Sequence, residues 1–157
     1  MNKTMLLAAD TSSHVSAAAA MTCDLCRDSG DKVIVLHVHE FAVGRWGRLQ
    51  VDCGDGEGER VVSEIVADMK GAGIDAVGEI REAPFGHIAR VILDAGDEHD
   101  ARIVVLGSSS RTDVPLLPFG SVSHRLLHSA SRPVLIVPRQ PSTERAARPA
   151  AAATVSG

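Results

Sequence analysis

Four short runs of nearly continuous apolar residues constrain this chain most: "MLLAA" (Met5 to Ala9), "KVIVLHV" (Lys32 to Val38), "ARIVVLG" (Ala101 to Gly107) and "PVLIVP" (Pro133 to Pro138). Their apolarity does not alternate, so each reads as a strand buried on both faces, the situation of a parallel sheet covered by helices on either side. A fifth run, "DAVGEIREA" (Asp75 to Ala83), alternates more and is expected nearer an edge. Between the runs lie helical patterns, roughly over residues 13 to 28, 57 to 72, 85 to 98 and 120 to 130. Val61, Val62, Ile65, Val66 and Met69 recur at helical spacing ahead of the stop signals Gly71 and Gly73, and Ile88, Val91, Ile92 and Ala95 form a second stripe. The order βαβαβαβαβ predicts an α/β, doubly wound parallel sheet with right-handed crossovers and helices on both faces.

With 157 residues the chain suits one domain, expected over residues 1 to 139. The glycine-rich segment from Phe41 to Glu59, which holds the only Trp, is expected to be irregular. Residues 140 to 157, "QPSTERAARPAAAATVSG", have no partner pattern and are expected to form a disordered tail. A net charge of -4, with no Tyr, one Trp and three Phe, supplies neither the field nor the stacking platforms of a nucleic-acid binder. Three cysteines, an odd number at no disulfide-framework spacing, fit a reducing compartment, so a cytoplasmic location is expected. Near the N-terminus the uninterrupted apolar run, Met5 to Ala9, is shorter than the ~7 to 15 residues of a signal segment. No stretch approaches a membrane span.

The chemistry-bearing stretch is "VVLGSSSRTDVPLLPFGSVSHRLL", Val104 to Leu127. Gly107 ends a strand, and Gly120-Ser121 opens a helix whose first N–H groups lack intrahelical partners. Those donors and the helix dipole favour an anion, phosphate above all, and Ser121 and Ser123 add hydroxyls. The nine residues from Arg111 to Phe119 leave room for a phosphate chain. Ligands of such sheets bind beyond the carboxyl ends of the strands, where strand order reverses. The stretch is neither a dinucleotide fingerprint nor a P-loop. On spacing alone, Gly107 as a tight turn and Ser121 as a plain helix cap explain it equally well.

The wider arrangement resembles the universal stress protein family, whose nucleotide-binding members carry Gly-x2-Gly-x9-Gly-Ser/Thr after the fourth strand. Here the pattern reads Gly107, two serines, Ser110, nine residues, Gly120 and Ser121. Asp10 with Thr11 and Ser12 closes strand one, "LHV" ends strand two, "RPVLIVPR" forms the last strand, and the likeness covers about residues 3 to 139. The resemblance implies a five-stranded parallel sheet of order 3-2-1-4-5 and a homodimer joined through the last strand, Val134 to Val137. It also implies ATP as ligand, with adenine and ribose near Asp10 and Val38 along a wall of Ala8 and Ala9. The phosphates would lie against Leu106, Gly107, Ser110, Gly120, Ser121, Val122 and Ser123, carrying Mg2+ or Mn2+ with them rather than in a metal site of the protein's own. Arg111 has two equal readings, a charge for the polyphosphate or a solvated loop residue. Ser110 replaces the family's second glycine; where that position needs positive φ, a side chain costs roughly 1 to 2 kcal/mol, about tenfold in affinity. ATP binding is therefore expected to be retained but weakened.

Other candidates carry less. Asp10 has no partner that would make it a general base, and no enzyme activity beyond slow ATP hydrolysis is expected. Cys23 and Cys26 fall in a helical pattern without a second cysteine pair, which argues against zinc and for two half-buried thiols. His37 and His39 share a strand face and, lacking further metal ligands, are expected to line a sheet edge or a ligand mouth; His124 and His128 sit one helical turn apart, placed to sense pH or approach the phosphates, though surface histidines are the ordinary case. "DCGDGEGE" (Asp52 to Glu59) lacks the spacing of a calcium loop. The expected function is that of a stress-response protein acting through its nucleotide-bound dimer. The alternatives are a dimeric interaction module of the same fold without nucleotide, a binder of a cyclic nucleotide and, third, a metabolic enzyme.

Overall fold

The computed structural model describes residues 3–13, 15–51, 56–108 and 121–138. Its elements in chain order are β1 (Thr4–Ala8), α1 (Val15–Ser29), β2 (Lys32–Gly44), β3 (Gly47–Gln50), α2 (Glu57–Gly71), β4 (Ala76–Pro84), α3 (Ile88–Glu98), β5 (Ala101–Gly107), α4 (Ser121–Ser129) and β6 (Val134–Val137). Successive side chains of a strand point to opposite faces, and β1 fills both. Met5 and Leu7 enter a core with Val33, Val35 and Val105, covered by Ala18 and Cys26 of α1 and by Val62, Ile65 and Met69 of α2. Leu6 enters a second core with Ile34, Leu36, Val104 and Leu106, covered by Ala89, Ile92 and Ala95 of α3 and by Leu126 of α4. The continuous apolar runs are thus the middle layer of a helix–sheet–helix sandwich.

Five strands are parallel. β1 lies between β2 and β5, β4 pairs with β2, and β6 pairs with β5. Counting only these parallel strands in chain order, the arrangement is third, second, first, fourth, fifth, as expected. The sheet has six strands, however, and is mixed. The segment from Phe41 to Glu59, expected to be irregular, instead begins with a hairpin in which β2 runs on to Gly44 and β3 returns antiparallel, Phe41 opposite Gln50 and Gly44 opposite Gly47. Phe41 pairs with Pro84 of β4 as well. A strand has two hydrogen-bonding edges, so β3 must lie on the β1 side of β2, beyond the point where β1 stops. The extension costs apolar exposure: Val43, Trp46 and Leu49 are exposed, Trp46 almost completely at 97%. The expected tail falls in residues 139–157, outside the described residues.

The two outer strands differ chemically. β4 places charge at its edge: Glu79 is paired with Arg81 and His99, and Arg81 also reaches Glu98 at 2.6 Å. β6 offers Val134, Leu135 and Ile136, all partly exposed. At the amino ends of the central strands, Asp31 is 5% exposed and takes the backbone N–H of Lys3 at 2.9 Å together with the Arg102 guanidinium, tying β1, β2 and β5 together. Burial alone would raise its pKa, but the hydrogen bonds from Lys3, Ser29 and Arg102 outweigh it and hold the carboxyl below its ordinary value.

Two predictions follow from this packing. In β4 a side chain on Gly78 would meet Val62 Cγ1 at 2.6 Å and Val66 Cγ2 at 3.6 Å, so α2 seats directly on that glycine. Gly78→Val should cost about 1 to 3 kcal/mol of unfolding free energy in urea titrations, the scale of an overpacked core. For Asp31 the folded pKa lies below the unfolded one, so its contribution is complete above about pH 4 and is lost as pH falls through the folded value. The stability gap between the natural chain and Asp31→Asn should therefore be widest near neutrality and close on acidification below about pH 4, measured by denaturant unfolding across the pH range.

Candidate functional site

Where β1 gives way to α1 and β5 runs towards α4, the chain leaves the sheet in opposite directions along it, and a cleft opens between the strand ends. It is lined by Ala8, Ala9 and Asp10 after β1, by Leu36, His37 and Val38 of β2, by Ile88 and Ile92 of α3, by Leu106 and Gly107 of β5, and by Val122 and Ser123 of α4. This is the reversal point at which open α/β sheets place their ligands. Eight of the residues expected from sequence meet here: Ala8, Ala9, Asp10, Val38, Leu106, Gly107, Val122 and Ser123. Ser121 opens α4 but does not line the cleft. Ser110, Arg111 and Gly120 lie outside the described residues.

The cleft has an apolar floor of Leu36, Val38, Ile92 and Leu106 and a polar rim. At the rim Asp10 Oδ1 accepts from the backbone N–H and the hydroxyl of Ser12 at 3.1 and 2.6 Å, a local turn that fixes the carboxylate and takes no part of Oδ2. The first turn of α4 supplies its positive dipole end beside Val122 and Ser123. Flat apolar walls, one oriented carboxylate and a helix N-terminus suit a planar heterocycle joined to hydroxyls and an anion.

Three lining residues, Leu36, Ile88 and Ile92, escaped the sequence reading, and the fourth, His37, was expected only at a sheet edge or ligand mouth. Ile88 and Ile92 were placed on a core stripe, which they are; the stripe ends at the cleft. Leu36 likewise belongs to both core and cleft. His37 had a visible signal, since a histidine inside the apolar run "VIVLHV" needs a reason to be buried. Its Nδ1 lies 2.8 Å from the Ala9 carbonyl, which can only accept, so Nδ1 carries the proton. The ring's other side meets the start of α2, where a side chain on Gly58 would fall onto Cδ2 and Nε2 of His37. His39 shares the face as expected, its ring edge-on to His37 with centroids 4.7 Å apart. Gln50 Nε2 donates to His39 Nδ1 at 3.1 Å, so Nε2 of His39 is the proton carrier facing Glu59 at 3.0 Å. Glu59 is held below its ordinary pKa by its own backbone N–H in the first turn of α2 and then by His39.

The remaining candidates settle differently. Cys26 is buried rather than half-buried, because its position faces the sheet, and its Sγ lies 3.1 Å from Met5 Sδ. Burial, helped by nearby Asp31, pushes its thiol up to about 11. Burial raises the Cys23 thiol as well, so neither cysteine has the lowered pKa of an activated thiolate. Of the acidic stretch, residues 52–55 lie outside the described residues, and Glu57 and Glu59 occupy the first turn of α2, where negative side chains oppose the helix dipole favourably. Among the described residues no group of three or more His, Cys, Asp or Glu side chains is placed to hold a metal ion. None of the described helices is long and apolar enough to cross a membrane.

Comparison with known proteins bears on this geometry. Comparison with curated proteins gives no match. Among solved structures, a universal stress protein from Archaeoglobus fulgidus in complex with dAMP is 21% identical, with a TM-score of 0.63 over 86% of this chain and 97% of that one. An Arabidopsis thaliana universal stress protein family member with AMP bound is 16% identical, with a TM-score of 0.65 over 91% and 98%. A universal stress protein in complex with cAMP is 20% identical, with a TM-score of 0.62 over 87% and 96%. At such identities the likeness is one of fold. The model of the Universal stress protein family matches residues 1–138, taking in every strand, every helix and the whole cleft described above; this chain belongs to the universal stress protein family.

Proposed function

We propose that the protein binds ATP in the cleft at the β1/β5 reversal and acts in stress response as a nucleotide-bound homodimer. The observation that carries the reading is the convergence of Ala8, Ala9, Asp10, Val38, Gly107, Val122 and Ser123 around one apolar slot beside the start of α4. The relatives solved with AMP, dAMP and cAMP support an adenine nucleotide as the ligand class. In this reading the base lies between Val38 and the Ile88/Ile92 side of α3, Asp10 accepts from the ribose hydroxyls, and the phosphates run from Gly107 towards Ser121, Ser110 and Gly120. Mg2+ or Mn2+ would arrive on the phosphates. In this reading the chain is a holder of nucleotide rather than a catalyst, since Asp10, the one carboxylate among the described lining residues, is engaged by Ser12.

Titration of the full chain with a fluorescent ATP analogue should saturate below about millimolar. Asp10→Ala should weaken binding about tenfold or more, the scale of lost hydrogen bonds to a charged acceptor. Ser110→Gly should tighten it by up to about tenfold. Absence of saturation in both the natural chain and Ser110→Gly would replace this reading with that of a nucleotide-free interaction module.

Dimerisation is assigned to β6, whose outer edge leaves Val134, Leu135 and Ile136 partly exposed. Analytical ultracentrifugation at micromolar concentration should give a dimer, and Ile136→Lys should shift it to monomer without unfolding the chain.

A further inference from the structure

We infer a second site, independent of the nucleotide cleft: His124 and His128 on the outer face of α4 form a two-histidine chelate for a borderline divalent ion of the Zn2+ class. The two residues are one turn apart, and both are exposed, away from Ser123 and Leu126, which face inwards. Their rings tilt towards each other with centroids 4.5 Å apart and an interplanar angle of 58°. Most tellingly, the two Nε2 atoms converge to 3.2 Å. As neutral rings they meet only if one carries its proton on Nε2 and the other presents a lone pair. With both protons on Nδ1, the two Nε2 lone pairs are free and 3.2 Å apart, close enough to be shared by one metal ion.

The nitrogen spacing suits an ion, which a small rotation of the two exposed rings would let in. At the ~2.0 to 2.1 Å of Zn–N bonds, nitrogens 3.2 Å apart subtend about 100 to 106° at the metal, between the octahedral and tetrahedral values. Imidazole nitrogens select Zn2+, Ni2+ or Cu2+ over Mg2+ and Ca2+, which take oxygen. The location favours positive charge as well, since His128 lies in the last turn of α4, the negative end of its dipole. The nearest charged residue on the helix, Arg125, is turned to the side and donates to the carbonyl of Gly86. The helix carries no carboxylate between Ser121 and Ser129. The protein therefore supplies two ligands and leaves the ion's other positions to water or to an exchangeable ligand. Such a site is open and reversible, not a closed structural one.

Calorimetric titration of the reduced, nucleotide-free full chain with Zn2+ alone tests this. One ion per chain is expected, with His124→Gln and His128→Gln each weakening binding by about tenfold or more, the scale on which even supporting partners of metal ligands matter. Because the 3.2 Å approach exists only in the folded helix, Zn2+ should raise the melting temperature of the natural chain and not that of either variant. No saturable binding by the natural chain below about millimolar would overturn the site. So would an affinity left within about twofold by either substitution, because a chelate needs both nitrogens. ATP is absent throughout, so neither outcome touches the nucleotide reading.

Discussion

Everything in this molecule hangs on a backbone that has to satisfy its own hydrogen bonds where water is excluded. β1 is buried on both faces and flanked on both edges, by β2 over Thr4 to Ala8 and by β5 over the same residues. An unpaired amide there would cost about 1 to 3 kcal/mol, so neighbours on both sides are obligatory. Since β1 is the first strand and has partners from later in the chain on either side, the chain must leave it one way and return on the other. That single fact creates the strand-order reversal, and the reversal creates the cleft. The cleft residues of β1, β2 and β5 are at once the last residues of the core and the first of the site.

The site is also braced from outside the cleft. His37 holds the Ala9 carbonyl on one side and lies under the start of α2 on the other, where only glycine at position 58 fits. Its neighbour His39 joins Gln50 of β3 and Glu59 of α2. The peptide that carries Ala9 and Asp10 is therefore held through β2 by contacts that reach two elements outside the cleft, α2 and β3. Hydrogen bonds of this kind mainly orient, since their net contribution is about 1 kcal/mol each.

What could be read from the sequence followed from how strongly each signal is tied to burial. Runs such as "VIVLHV" and "RIVVLG" are legible because two-sided burial admits little but branched apolar residues, and the helices were legible from their stripes. Strand order came through the family resemblance and not from periodicity, which says nothing about neighbours. The hairpin of β2 and β3 was hidden because its faces hold almost no buried side chains and its turn, Arg45-Trp46, lacks the Asn-Gly signature. The cleft was half legible: Asp10 and Gly107 stand at strand ends, and Val38 came through the family resemblance, although β2 runs on past it to Gly44. Ile88, Ile92 and Leu36 look like core because chemically they are core, and only the third dimension shows that it opens beside them.

The unequal edges of the sheet have a consequence for how copies of this chain can add to one another. At one edge β4 presents Glu79, Arg81 and the His99 and Glu98 that meet them, a charged fringe that an incoming strand would have to strip of water. At the other, β6 presents Val134, Leu135 and Ile136, which gain by being covered. Two sticky edges would let sheets join end to end without limit. Of the two edges of the parallel strands, β6 is then the one that favours pairing. In the proposed dimer β6 would meet its own copy, covering the apolar strand on both chains and leaving the charged β4 edges facing outwards, so edges this unequal favour a closed pair over continued growth at those strands.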